Sequence, residues 1–436
     1  MSKAGKISLD SIIIYLMAVF VMSLPRRISV GGMYSYHFVI IAAFLLMLVA
    51  RRGKIYLGLK AIGLITILFF AATFIRSFFA NQLVFGIGYV LDSVILFLLF
   101  INIIREQRSL DIFLKVFIFC MAVYSVLGIF EFFTGFNLWN AVSGAELSTI
   151  RYGMYRSYGV CTNFTNNAMF LFLSLPLIFW KITESKGKSR SLYIASYILV
   201  LCNILTTLTR MAILCTLLFH IVLLFKYGLL EYIKKYFLQL VFAGLIVLIL
   251  VCFIPSITDK LKMITDMFVA VLDEDVANEI SGTFGGNANG VGHRVLLYSW
   301  IWETIQGHTV FGLGPNKLFE YHYVTDMGNH MIKTSIENQY LITLYRFGIV
   351  GLVLYLLMCV RMVLRMYSVR KTEKRLLQKN RRRPTPMFLM ITAIVIYMLS
   401  GLSFAYADDF RMLFICLGII YVYNNSMLAA ARNNGM

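Results

Sequence analysis

The sequence predicts an all-α integral membrane protein whose chain crosses the bilayer about twelve times. Three observations carry this. Of 436 residues, 60% are apolar, 15% aromatic and only 14% charged, far more apolar than a soluble core requires. Apolar runs long enough to span roughly 30 Å of hydrocarbon, each needing about 20 residues, recur along the whole length. The Lys and Arg residues behind a net charge of +19 crowd into alternate connections between those runs, as the positive-inside rule requires.

The first run, 9–24, follows Lys3 and Lys6 like a signal peptide, but no small-x-small site precedes Pro25-Arg26-Arg27, so a retained helix is expected. Runs at 33–50, 58–79, 83–104 and 111–133 follow, then 167–182, 191–209, 211–226 and 236–254, and finally 338–366, 387–403 and 411–430. Arg51-Arg52-Gly53-Lys54, Lys186/Lys188/Arg190 and Lys226/Lys234/Lys235 fall on one side. The segment 365–383 joins them, with nine basic residues (Arg365, Arg370, Lys371, Lys374, Arg375, Lys379, Arg381, Arg382, Arg383) against Glu373 alone. That side is expected to be cytoplasmic and to hold both termini. Short juxtamembrane clusters of this kind face anionic headgroups; without a recognition fold they exclude nucleic acid as a partner. Cys120, Cys202, Cys215, Cys252, Cys359 and Cys416 lie inside apolar runs, with only Cys161 near a surface, so they read as small apolar residues rather than a disulfide framework.

On this topology two long connections face outward: 134–166, and a large extracytoplasmic loop at 255–337 between the ninth and tenth helices. The chain reads as a single polytopic domain, 1–436, with that loop as a helical cap, and function is expected there. Residues 259–280 place Leu261, Ile264, Phe268, Val271 and Leu272 on one helical face, an amphipathic helix suited to the membrane surface. A glycine-rich stretch, 282–292, and a second helical segment, 293–306, follow. No Gly-Lys-Ser/Thr closes the glycines, which excludes a phosphate-cradling P-loop. Asp273-Glu274-Asp275 fits the Asp-x-Asp metal pattern but sits on the polar face of an acidic helix, and no Cys/His spacing supports zinc, so no metal or cofactor is expected.

Charges at the edge of a bilayer are costly and therefore functional candidates. On the outward side they are mostly arginines: Arg151 and Arg156 in the first loop, Arg210 in the tight Leu208-Thr209-Arg210-Met211 turn, Arg294 in the large loop, and Arg346 and Arg411 at the starts of late spans. The planar, permanently charged guanidinium suits a diphosphate, so a pocket of these residues points to a lipid diphosphate. The bland alternative for Arg151, Arg346 and Arg411 is snorkelling to headgroups. Asp92, deep in the fourth span, reads as half of an ion pair with Arg76.

Three stretches then resemble, in order, the O-antigen ligase and polymerase superfamily of bacterial surface polysaccharide assembly. Gly159-Val-Cys-Thr-Asn163-Phe-Thr-Asn166-Asn167-Ala168 resembles the family's G-x(3)-N-x-N-x-x-A helix start, and Thr207-Leu-Thr-Arg210 its S/T-R turn. Gly292-His-Arg294, Trp300 and His308-Thr-Val-Phe-Gly312-Leu-Gly314-Pro315 resemble the end of its large loop, and Glu337-Asn338-Gln-Tyr340-Leu341 with Gly348-Ile-Val-Gly351 its H-N-x-y-L and G-x-x-G. The likeness covers roughly 150–365. It implies a metal-independent, inverting glycosyltransferase of the GT-C type in the bacterial inner (plasma) membrane, acting on its extracytoplasmic face on glycans carried by undecaprenyl diphosphate.

Ligases of the family carry histidine where this chain has Glu337, so the resemblance favours a polymerase of lipid-linked oligosaccharide repeats. Catalysis is assigned to Glu337 as base, with His330 and His322 upstream as substitutes for the missing imidazole, and to Arg210 and Arg294 at the leaving diphosphate. Arg151, Arg156, Asn163, Asn166, His330, Asn338 and Arg411 are assigned to substrate binding. Donor and acceptor lipids, the bilayer and a chain-length regulator are the expected partners. The alternatives are an O-antigen ligase acting on lipid A core, and a flippase, which would show the repeated broken helices that this sequence lacks.

Overall fold

The computed structural model describes residues 9–21, 28–58, 63–144, 148, 150–151, 154–161, 163–228, 298–315, 317, 319–324, 330–333, 336, 338–376, 384–401 and 408–433. They are mostly helical, because a chain in hydrocarbon satisfies its backbone polar groups only within helices or closed barrels. The helices are α1 (Leu9–Tyr15, extended by a π turn to Val21), α2 (Ser35–Ala50), α3 (Leu64–Phe79), α4 (Leu83–Ile103), α5 (Gln107–Thr134) and the short α6 (Leu138–Ser143). After them come α7 (Phe164–Glu184), α8 (Gly187–Thr206), α9 (Arg210–Tyr227), α10 (298–304), α11 (Gln339–Leu376), α12 (Pro386–Leu399) and α13 (Asp408–Asn433). Hairpins β1–β2 (Ser29–Val30, Met33–Tyr34), β3–β4 (Ile150–Arg151, Met154–Tyr155) and β5–β6 (Tyr321–Val324, His330–Lys333) lie in connections.

Among the described residues, five helical stretches are long and apolar enough to cross a membrane: α4, α5, α8, α11 and Arg411–Ala431 of α13. The chain is an integral membrane protein. The expected span at 236–254 and the helix at 259–280 lie outside the described residues, as do the glycine stretch 282–292 and Asp273–Asp275. Elsewhere the boundaries move for local reasons. Asn163, with its side chain accepting the Thr165 amide at 2.7 Å, caps α7 three residues before the expected start. Thr385 and Pro386 start α12 in the same way. α11 runs on to Leu376, and Glu373, the lone acid of the basic segment, is buried there, accepting from the Tyr423 hydroxyl at 3.0 Å.

The core is built around α7. It is apolar on every face and buried from Asn166 to Ile182, which is what an all-round apolar helix requires. It packs against α5, α8, α9, α12 and α13. A second, smaller core joins Ile301, Ile305, Phe319 and Tyr321 to Ile336, Ile342 and Tyr345. Trp300 stacks edge-on against Phe319 and Tyr321, 5.1 and 5.7 Å away, while Trp302 and Tyr298 stay exposed. Cys161, expected near a surface, is buried because the Tyr124 hydroxyl accepts the neighbouring Val160 amide at 3.0 Å and draws the segment inward.

Candidate active site

The turn between α8 and α9 is strained and strapped. Leu208 is buried with φ +49°, a conformation that β-carbon sterics make uncommon. Arg156 holds it: Nε donates to the Thr207 carbonyl at 2.9 Å, and Nη2 to the Leu208 carbonyl at 3.1 Å and the Thr209 hydroxyl at 3.3 Å. The guanidinium stacks 3.1 Å from the centroid of Phe164. It is buried, and these donors are turned to protein carbonyls, not to an open pocket. It thus acts as a cation at the C-terminal end of α8, binding carbonyls of the cap residue and the one after it. Arg210, half-buried, is thereby fixed at the first residue of α9, beside the positive end of that helix.

Beneath the turn lies a connected polar bed. Glu131, buried on α5, accepts the Tyr158 and Gly159 amides at 3.1 and 3.0 Å. Tyr124 donates to Asn167 at 2.5 Å, and Asn167 donates to the Ser157 carbonyl at 3.0 Å. Ser157 bonds Asn203 of α8 at 3.0 Å. Asn166, 1% exposed, has an Nδ2 without a hydrogen-bond partner among the described residues. α5, α7 and α8 thus hold the segment 156–159 against the turn that precedes Arg210.

The Gly312-x-Gly314 and Gly348-x-x-Gly351 motifs form a single interlock. α11 breaks at Gly348 (φ 66°, ψ −165°), which frees backbone groups on both sides. The loop fills them: the Leu313 and Gly314 amides donate to the Tyr345 and Arg346 carbonyls at 2.9 and 3.0 Å, and the Thr309 and Val310 carbonyls accept from Ile349 and Val350 at 2.8 and 3.2 Å. Arg76 of α3 donates to the Gly312 carbonyl at 2.9 Å. Side chains are excluded at both glycines, since a Cβ at Gly348 would lie 2.3 Å from the Val310 oxygen and one at Gly312 2.4 Å from the Arg346 carbonyl carbon.

At the N-terminal end of α11, Asn338 Oδ1 accepts the Leu341 amide at 3.2 Å, so the cap is Asn338. The Gln339 amide donates to the Gly401 carbonyl at 3.0 Å and the Tyr340 hydroxyl to Met398, docking this end on that of α12. Glu337 and Arg294 lie outside the described residues, and of Arg151 and His330 only the strand backbones are described.

Asp92 does not pair with Arg76, which is committed to Gly312. Its Oδ2 instead meets His37 Nε2 and the Tyr36 hydroxyl, each at 3.2 Å. The Tyr34 amide donates to His37 Nδ1 at 3.3 Å, so the ring is the Nε2–H tautomer and donates to Asp92. Asp92 sits in a π turn, Leu91–Ile95, and Gly88 one turn earlier leaves room for His37. Arg411, fully buried, stacks 3.8 Å from the Tyr36 ring, so it is not a snorkelling residue. Among the described residues no three His, Cys, Asp or Glu side chains converge as a metal site would require.

Residues 195–356 match the family model described as O-antigen ligase. That segment is similar to the O-antigen ligase family. The match runs from α8 through the Arg210 turn to α11 beyond the Gly348 break, and so contains both halves of the glycine interlock. The strapping residue Arg156, the polar bed on α5 and α7, the clamp Arg76 and the Asp92–Arg411 cluster lie outside the O-antigen ligase segment. No curated protein matches the chain.

Proposed function

We propose that this protein polymerises oligosaccharide repeats carried on undecaprenyl diphosphate, at the extracytoplasmic face of the bacterial plasma membrane, without a metal. The observation that carries the reading is Arg210, which lies inside the matched segment and is held at the first residue of α9 by the strap from Arg156 outside it. A cation at a helix N-terminus opposes the dipole, and the two positive sources together favour an anion. In the reaction a hydroxyl of one lipid-linked repeat attacks C1 of a second glycan. The new C1–O bond forms as the bond to the lipid diphosphate breaks, with inversion at C1. Glu337 takes the hydroxyl proton. Arg210 and Arg294 bind the departing diphosphate as its charge develops, a contribution of about 3–4 kcal/mol per well-placed donor.

The family description names ligases, which share the donor. Glu337 in place of the histidine that ligases of the family carry favours polymerisation. The test offers purified protein a lipid-linked repeat and lipid A core together. The expected product is a ladder on the lipid diphosphate; transfer to the core alone would make the protein a ligase, and no transfer would leave the flippase alternative.

A further inference from the structure

A pocket of about 30 Å³, room for one small polyatomic group, lies where α3, α4, α11 and α13 meet. Thr66, Arg361 and Arg365 form its polar lining, and Phe97, Phe414 and Leu417 close its apolar side. At 1.5 Å per residue, Arg361 lies roughly one 30 Å hydrocarbon thickness along α11 from Gln339, and so near a bilayer interface. This is the end of α11 that carries the basic segment 365–383, the side expected to be cytoplasmic. Neither guanidinium makes a hydrogen bond or ion pair among the described residues. Arg361, half-buried, lies against the start of α3: a Cβ at Gly63 would fall 1.9 Å from its Nε, so only glycine, here with φ +82°, admits it. The first turn of α3 has no side-chain cap, which leaves free amides and the positive end of the dipole beside that guanidinium. Thr66 is 2% exposed, and its hydroxyl has no hydrogen-bond partner among the described residues, a costly state for a buried polar group.

We infer that this pocket holds the phosphodiester of one anionic phospholipid, clasped by Arg361 and Arg365 and accepting the Thr66 hydroxyl. Two guanidinia one helical turn apart match the several oxygens of a phosphate, and the uncapped start of α3 adds a third positive source. The surroundings favour a lipid over a free phosphate. Leu64 and Leu364, next in the chain to Gly63 and Arg365, are 66% and 63% exposed, so acyl chains cover them in the membrane. Basic loops attract headgroups without any fixed geometry; a pocket with a glycine-admitted guanidinium and an unpaired hydroxyl instead defines a site for a single lipid. No residue of the Arg210 turn takes part, so the site stands apart from the polymerase reading.

The test is native mass spectrometry of the full chain, purified in detergent, stripped of lipid and titrated with dioleoyl phosphatidylglycerol. One tightly bound lipid is expected, not displaced by inorganic phosphate. Dioleoyl phosphatidylcholine should bind about tenfold more weakly, because its choline brings a cation to two arginines. Arg361→Gln and Arg365→Gln should each weaken phosphatidylglycerol binding about tenfold, the loss of one charge-assisted contact. The nearly isosteric Thr66→Val should weaken it about threefold. Lys374→Gln, which removes an exposed charge from the same end of α11, should leave it unchanged. Absence of a saturable first lipid, equal binding of phosphatidylcholine, an equal loss in Lys374→Gln, or unchanged binding in both Arg365→Gln and Thr66→Val would overturn the site. Displacement by inorganic phosphate would overturn the lipid as its occupant.

Discussion

Arg210 is where backbone strain, a supporting guanidinium and a helix terminus meet, and the two arginines of this turn should respond differently to substitution. Arg210→Ala should abolish or strongly reduce transfer with normal expression, and Arg210→Lys should restore it only in part, since lysine cannot make the bidentate contact. Arg156→Ala should lower thermal stability as well, by about 2–3 kcal/mol, because it leaves the buried Thr207 and Leu208 carbonyls without their donors. Thermal unfolding in detergent beside a transfer assay separates the two. A carboxylate at 337 could also serve as a helix cap, but that part is taken by Asn338, whose side chain accepts the Leu341 amide. Glu337→Gln should therefore cut turnover by about 10²–10⁴-fold with lipid binding and melting temperature little changed; Asn338→Ala should cost about 1 kcal/mol of stability. Normal turnover in Glu337→Gln would move the base elsewhere, with His330 tested next. Residue identities and their order along the chain exposed Arg210 and the asparagines as candidates. The Asp92 pairing was illegible, because which side chains share a depth in non-adjacent helices depends on helix packing, and α2 brings Tyr36 and His37 to Asp92 ahead of α3's Arg76.

At the scale of elements, the break in α11 and the loop at 309–314 are one device. Gly348 abuts the backbone at Val310 and Gly312, and Gly312 that at Arg346 and Phe347, so Gly348→Ala and Gly312→Ala should each unseat the loop. The double variant should cost little more than either alone, since both remove the same contact set. Limited proteolysis between 306 and 320 measures the release; additive losses would show that the two motifs act separately. Sequence spacing revealed both glycine pairs but not their union, because the hydrogen bonds joining them run between backbone groups, which carry no residue-type signal. The helix ends were legible where a capping residue marks them, as Asn163 and Thr385 do, and illegible at Leu376, where the helix outruns the apolar stretch on charged residues.

For the whole molecule, apolar length predicted the membrane class and, among the described residues, five of the spans, since bilayer thickness sets them directly. The topology awaits labelling. Single cysteines introduced at 367–385 should react only from the cytoplasmic side and those at 259–335 only from outside; labelling of both from one side would refute it. The most direct measurement of the central claim is a stoichiometry. Purified protein in chelator-treated nanodiscs, given a lipid-diphosphate-linked repeat as sole substrate, should build a ladder and release one lipid diphosphate for each repeat added. A ladder that needs added metal, or lipid diphosphate release without chain growth, would contradict it.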